Sequence, residues 1–293
     1  MRVQAPRRSY SEILADLAPF EEYVGSLKLP EASHRLRQII AKIGEIEDAR
    51  LRGSVDALYK RPDLPELVWS LVEGQEFIEI FRGLRGYDSA IMRDLLEKAL
   101  RGPMNPARET NASNIGRNTA FELRLGSGLR RAGGTVTLGG DADVILDYAG
   151  ARIYFECKRP FYQHNVPANT EKALSQLQRR LDAEKRTAVG FVAVSVSKAL
   201  NPGTNLYSVE SYDALQGLSS ETMRIHAQNR LSKERVADVR ICGIIYHIFT
   251  PALVKNEGLF VASQWDLFPD NVNLTAMLPI GGESLKAFLG RAL

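Results

Sequence analysis

The sequence predicts an α/β fold: an all-helical amino-terminal region followed by an αβββαβ core on a mixed central sheet. Three observations carry this expectation. Apolar residues recur at helical spacing through the first hundred residues, with no strand alternation. Residues 101–114 (RGPMNPARETNASN) concentrate Pro, Gly, Asn and Ser, which marks a boundary. Residues 115–197 then read helix, strand, strand, strand, helix, strand.

Each element has its own signal. Ser9 followed by Glu12 predicts a capping box ahead of Ile13, Leu14, Leu17 and Phe20. A second helix is expected from about Glu31 to Arg52, a third over Leu64–Leu84 and a fourth over Ser89–Leu100, stopped by Gly102-Pro103. A helix over Ile115–Arg131 sets Phe121, Leu125 and Leu129 on one face and ends at Gly133-Gly134. Strands are expected at Thr135–Leu138, Ala142–Tyr148 and Ala151–Cys157, the last two joined tightly through Ala149-Gly150. A helix over Ala168–Glu184 and the valine-rich run at 189–197, typical of a strand buried on both faces, complete the core. Beyond it, a helix at 209–230, strands at 241–249 and 259–265, and a short helix after Gly282 are expected. The division is therefore a helical domain at 1–105 and a second at 106–293, with its core at about 113–200 and an extension at 201–293.

Composition narrows the chemistry. With 44% hydrophobic and 25% charged residues over 293 positions, the chain has a globular balance. No apolar run approaches the roughly 18 residues that span a bilayer, and MRVQAPRRSYSE lacks the apolar core of a signal peptide. A soluble cytoplasmic protein with no membrane partner is expected. Two cysteines and four scattered histidines provide no zinc-ligand spacing, so a metal here would be a hard ion held by carboxylates. Net charge is −1 over the first 105 residues and +4 over the rest, which permits a polyanionic partner without demanding one. There is no G-x-S-x-G, P-loop or dinucleotide fingerprint.

The informative segment is GDADVILDYAGARIYFECKRP, residues 140–160. Asp143 starts one strand, while Glu156 and Lys158 end the next and share a face because side chains alternate. A hairpin closed at Ala149-Gly150 sets residue 143 opposite 156. Two carboxylates and an ammonium thus converge at one end of the hairpin. In isolation an E-x-K is an exposed ion pair at a strand end. Here the strand is otherwise apolar, and burying such charges costs several kcal/mol per ion unless they pair or bind a metal. Two carboxylates with the backbone carbonyl of Cys157 make a hard oxygen site suited to Mg²⁺ or Mn²⁺. Such an ion acidifies a bound water, and the neighbouring ammonium orients that water or stabilises developing charge.

Asp143 and Glu156-Cys157-Lys158, within this element order, resemble the PD-(D/E)XK phosphodiesterase superfamily of restriction-endonuclease-like nucleases. The resemblance covers about residues 113–200, and Ala142 stands where the motif has proline. It implies that Asp143 and Glu156 hold Mg²⁺ and that Lys158 serves the attacking water. It also implies a glutamate on the first core helix, matched by Glu122, which would complete the metal site. A glutamine on the helix after the motif is matched by Gln176.

Nucleic acid, DNA before RNA, is the expected partner. Arg117 and Asn118 open the first core helix, Arg159 follows the motif, and Arg180 lies in a cluster with Arg179, Lys185 and Arg186; all are candidate phosphate contacts. The amino-terminal helices are expected to recognise substrate, form a homodimer or receive a partner protein. The expected activity is metal-dependent cleavage of phosphodiester bonds, in microbial defence or repair. The competing reading is a catalytically inactive nucleic-acid-binding or interaction module that keeps the fold. Cys157 and Cys242 read as buried thiols, and His164 as a loop residue.

Overall fold

The computed structural model describes residues 1–5, 7–110, 113–140, 142–201, 205–231, 238–268 and 282–293. A short strand β1 (Arg2–Gln4) precedes helices α1 (Tyr10–Ser26), α2 (Pro30–Leu51), α3 (Val55–Leu58), α4 (Leu64–Leu84) and α5 (Ser89–Ala99). Next come α6 (Ile115–Arg131), β2 (Thr135–Leu138), β3 (Val144–Tyr148), β4 (Ala151–Lys158), α7 (Val166–Ala183) and β5 (Ala188–Ser195). The chain closes with α8 (Ser197–Leu200), β6 (Tyr207–Val209), α9 (Tyr212–Leu231), β7 (Ile241–Val254), β8 (Gly258–Phe268) and α10 (Gly282–Ala292).

The elements form where local chemistry favours them. The Ser9 side chain accepts the Glu12 N–H, and the Glu12 carboxylate accepts the Ser9 N–H at 2.7 Å, closing the capping box. At the β3–β4 turn both Ala149 (φ 49°) and Gly150 (φ 83°) are left-handed, as a two-residue hairpin requires. The register pairs Val144 with Phe155 and Tyr148 with Ala151, so residue 143 meets 156 one step further on.

All the described strands join one mixed sheet in the order β1-β8-β7-β5-β4-β3-β2, with β6 also on β7. β2, β3 and β4 form an antiparallel meander, while β4, β5 and β7 run parallel, β8 runs antiparallel to β7, and β1 antiparallel to β8. Helix α6 lies across β2, β3 and β4 on one face, and α7 covers β4 and β5 on the other. Ile153, Phe155 and Cys157 point into the core shared with α6 and the amino-terminal helices. Tyr154 faces the α7 side, and Glu156 and Lys158 follow it by alternation.

The amino-terminal region is not wholly helical, contrary to the sequence expectation. β1 pairs with Gln264–Asp266 of β8, at the far end of the chain. Three residues are too few to show alternation, and nothing near them in the chain points to a partner in β8; α3, α8 and β6 are similarly short and escape notice too. The helices of this region share one apolar core with the sheet. Helices α4 and α6 approach closely at Gly83, where a Cβ would collide with the Ser127 hydroxyl and carbonyl. That crossing holds α6, and so Glu122, against the rest of the molecule. No helix among the described residues is long and apolar enough to cross a membrane.

Candidate active site

The carboxyl end of β4 opens into a cavity of about 320 Å³ lined by Glu122, Asp143, Cys157, Lys158 and Gln176, with the amino-terminal turns of α6 and α7 on its rim. The hairpin register brings the motif together. The Lys158 ammonium lies 3.6 Å from Asp143 Oδ2 and 3.5 Å from Glu156 Oε2. Asp143 Oδ2 also accepts the Cys157 N–H at 2.7 Å. Because a strand residue projects its N–H and C=O to the same edge, the Cys157 carbonyl belongs on the Asp143 side too. Its thiol lies on the opposite, apolar face, where burial pushes it well above the usual thiol range, so it is no nucleophile.

Electrostatics follow from burial. Glu156 is 1% exposed, and desolvation, reinforced by the Asp143 carboxylate, raises its pKa. Arg180 on α7 opposes that rise: its Nε donates to Glu156 Oε1 at 2.5 Å. Glu122, set into the cavity by α6, is pushed up to about 8, first by desolvation and then by Asp143. It is therefore largely protonated near neutrality, a carboxyl group poised beside two carboxylates.

The sequence-predicted residues divide into two sets, with Arg180 apart from both because it reaches the site through Glu156. Asp143, Glu156, Lys158, Glu122, Gln176 and Asn118 come together at or beside the cavity. Arg117 and Arg159 do not face it with their side chains. Arg117 is 2% exposed and is clamped between Glu73 and Glu109, with further bonds to the Pro103 and Met104 carbonyls. Arg159 donates to Glu76 at 3.2 Å and to the Arg117 carbonyl at 2.8 Å. Both guanidinium groups stack near Trp69. Their expected phosphate contacts are corrected to a buried ion-pair network that also includes Arg35 and Lys198. Its acidic partners lie far away in sequence, which is why the first-turn position of Arg117 was misleading.

Sequence reasoning named Asn118 and Gln176 but missed the cavity's other amides, Asn114, Asn165 and Asn169. Asn114 and Asn118 open α6 while Asn165 and Asn169 open α7, and all four line the cavity. The signal was present: NIGRN and NVPAN both carry asparagines at i, i+4 spacing, which share a helix face. The helix amino-termini bring partial positive charge to the rim, suited to an anionic substrate. The side-chain oxygens of Asn114, Asn118 and Gln176 are buried and lack partners among the described residues.

Among the described residues, no three His, Cys, Asp or Glu side chains form a metal-ligand cluster. The donors nevertheless suit Mg²⁺, which dehydrates reluctantly and is commonly held by one or two carboxylates with water filling the remainder. Asp143, Glu156 and the Cys157 carbonyl fit that requirement, and the partnerless amide oxygens add neutral acceptors nearby. No family model, curated protein or solved structure matches this chain. Fold and site define it so far as a mixed α/β protein with an acid- and amide-lined cavity at the end of a β-hairpin.

Proposed function

We propose that the protein is a metal-dependent nuclease that hydrolyses phosphodiester bonds of nucleic acid, DNA before RNA, on a restriction-endonuclease-like αβββαβ core. The observation that carries this reading is the Lys158 ammonium between Asp143 and Glu156 at the mouth of a polar cavity. The α6-β2-β3-β4-α7-β5 order, with an antiparallel meander leading into a parallel crossover, supports the resemblance to PD-(D/E)XK enzymes.

In this reading Asp143, Glu156 and the Cys157 carbonyl would hold Mg²⁺ or Mn²⁺, and Glu122 would complete the site. When bound, such an ion would supply charge neutralisation at a phosphoryl oxygen and acidify a bound water. Lys158 orients that water and offsets charge that grows as it attacks. Glu122 faces the same cavity, and the desolvation that raises its pKa in the cation-free protein would be offset by a cation bound beside it. Asn118 and Gln176 present polar groups that can position substrate. A biological place in defence against foreign DNA or in repair follows only from the habits of the resembled superfamily.

One observation favours a second reading, a catalytically inactive nucleic-acid-binding module: the Arg180 guanidinium engages Glu156, the proposed metal ligand. A plasmid-nicking assay in Mg²⁺ and in Mn²⁺ separates the two. The nuclease reading expects cutting that is lost in EDTA and in Asp143→Asn and Lys158→Met. Binding without cutting in either metal favours the module.

A further inference from the structure

A second, larger cavity of about 770 Å³ adjoins the candidate active site on the α7 face of the sheet. Its walls are the carboxyl-terminal half of α7 and the exposed faces of β3 and β4. Two contacts join the cavities: Gln176 lines both, and Arg180, which lines the larger one, reaches across to Glu156. The larger cavity is strongly basic. Arg152, Arg179, Arg180, Lys185 and Arg186 line it against a single carboxylate, Glu184. That carboxylate is occupied by the Tyr154 hydroxyl and the Lys185 and Arg186 amides. Arg152 is paired with Asp147. Among the described residues, the side chains of Arg179, Lys185 and Arg186 form no ion pair.

We infer that this groove carries the sugar–phosphate backbone of a nucleic-acid strand next to the bond cut at the smaller cavity. The inference rests on the proposed nuclease reading and adds the path of the substrate. An ordinary solvated helix face intersperses both signs of charge, whereas this one concentrates unpaired cations along a concave track that ends at the motif. The dimensions agree: Gln176 to Ala183 rises about 10 Å at 1.5 Å per residue. That length accommodates a short stretch of sugar–phosphate backbone. Tyr154, buried in the core beneath α7, closes the floor, and its hydroxyl donates to Glu184 at 2.6 Å.

The test is binding of a fluorescein-labelled single-stranded DNA 12-mer, followed by anisotropy in EDTA across a salt series so that cutting plays no part. The variant is R179Q/K185Q/R186Q, which leaves Asp143, Glu156, Lys158, Glu122 and Arg180 intact. The control K60Q/R85Q/R93Q removes the same charge from exposed positions elsewhere. The groove variant is expected to bind at least about ten-fold more weakly at low salt, with the slope of log K against log salt reduced by about 2. The control should keep the wild-type slope. In Mg²⁺ the groove variant should raise KM and leave kcat near wild type. No binding by the wild-type chain overturns the inference, as does an unchanged slope or an equal loss in the control. Wild-type binding that depends on the groove, with no cutting in Mg²⁺ or Mn²⁺, leaves the groove standing and removes the nuclease reading.

Discussion

Arg180 Nε donates to Glu156 Oε1 at 2.5 Å, linking the last turn of α7 to the glutamate at the end of β4. Glu156 is thus held by a guanidinium on one oxygen, while Lys158 lies 3.5 Å from the other. Any cation taking Glu156 as a ligand must compete with Arg180. Arg180 also lines the basic groove, where a phosphate would offer it another partner.

Arg180→Gln should therefore strengthen metal binding in the absence of nucleic acid. Charge-assisted hydrogen bonds contribute about 1.5–3 kcal/mol before discounting for solvent, so a gain of about three- to ten-fold is expected. Calorimetric titration of the substrate-free protein with Mn²⁺ at pH 8 measures it. Equal affinity in variant and wild type would mean that the guanidinium and the ion do not contend for this carboxylate.

Glu122 makes stability depend on pH. Its folded pKa of about 8 lies above the ordinary 4.5, so the folded chain keeps a proton that the unfolded chain has released. The stabilisation from this site is full below about pH 4.5 and is lost as pH rises toward 8. Glu122→Gln removes the titration. In EDTA, wild-type Tm should fall by a few degrees relative to the variant between about pH 5 and 8. Parallel pH profiles in a melting experiment would place Glu122 in a wetter setting than the one described.

Arg117→Met tests the correction to the sequence reading. The substitution strips a shared cation from Glu73 and Glu109, leaving Arg35 and Lys198 as their remaining partners. Breaking such a buried pair costs about 3 kcal/mol or more. Urea unfolding should show that loss, while the folded variant should bind nucleic acid as wild type does. A variant of normal stability with weakened binding would return Arg117 to the substrate surface.

Ala149 is held at φ 49° in the hairpin that sets the motif register. A left-handed alanine costs about 1 kcal/mol, and Asn-Gly is a favoured pair for this turn. Ala149→Asn should raise Tm by about 1–3 °C, read by differential scanning calorimetry. A fall would indicate a different turn geometry.

Much of the fold was legible because it is locally encoded. The capping box at Ser9, the helix over Ile115–Arg131 and the strand over Thr135–Leu138 announce themselves within a few residues. The convergence of Asp143 with Glu156 was also readable, since a two-residue turn fixes which residues face each other. Less legible were the three-residue β1, whose partner lies in β8, and the true surroundings of Arg117 and Arg159. No short window contains both members of those pairings.

Periodicity and turn chemistry, acting between neighbours in the chain, determined the helices, the hairpin and the side-by-side placement of the three motif groups. Only the packed molecule decided which arginines are interior counter-ions and which, on α7 or just past its end, have no ion pair among the described residues. It also decided that a guanidinium occupies Glu156 and that four asparagines from two helix starts share one cavity. Those outcomes depend on desolvation and charge pairing across distant segments, and both arise only once helices and sheet have closed on each other.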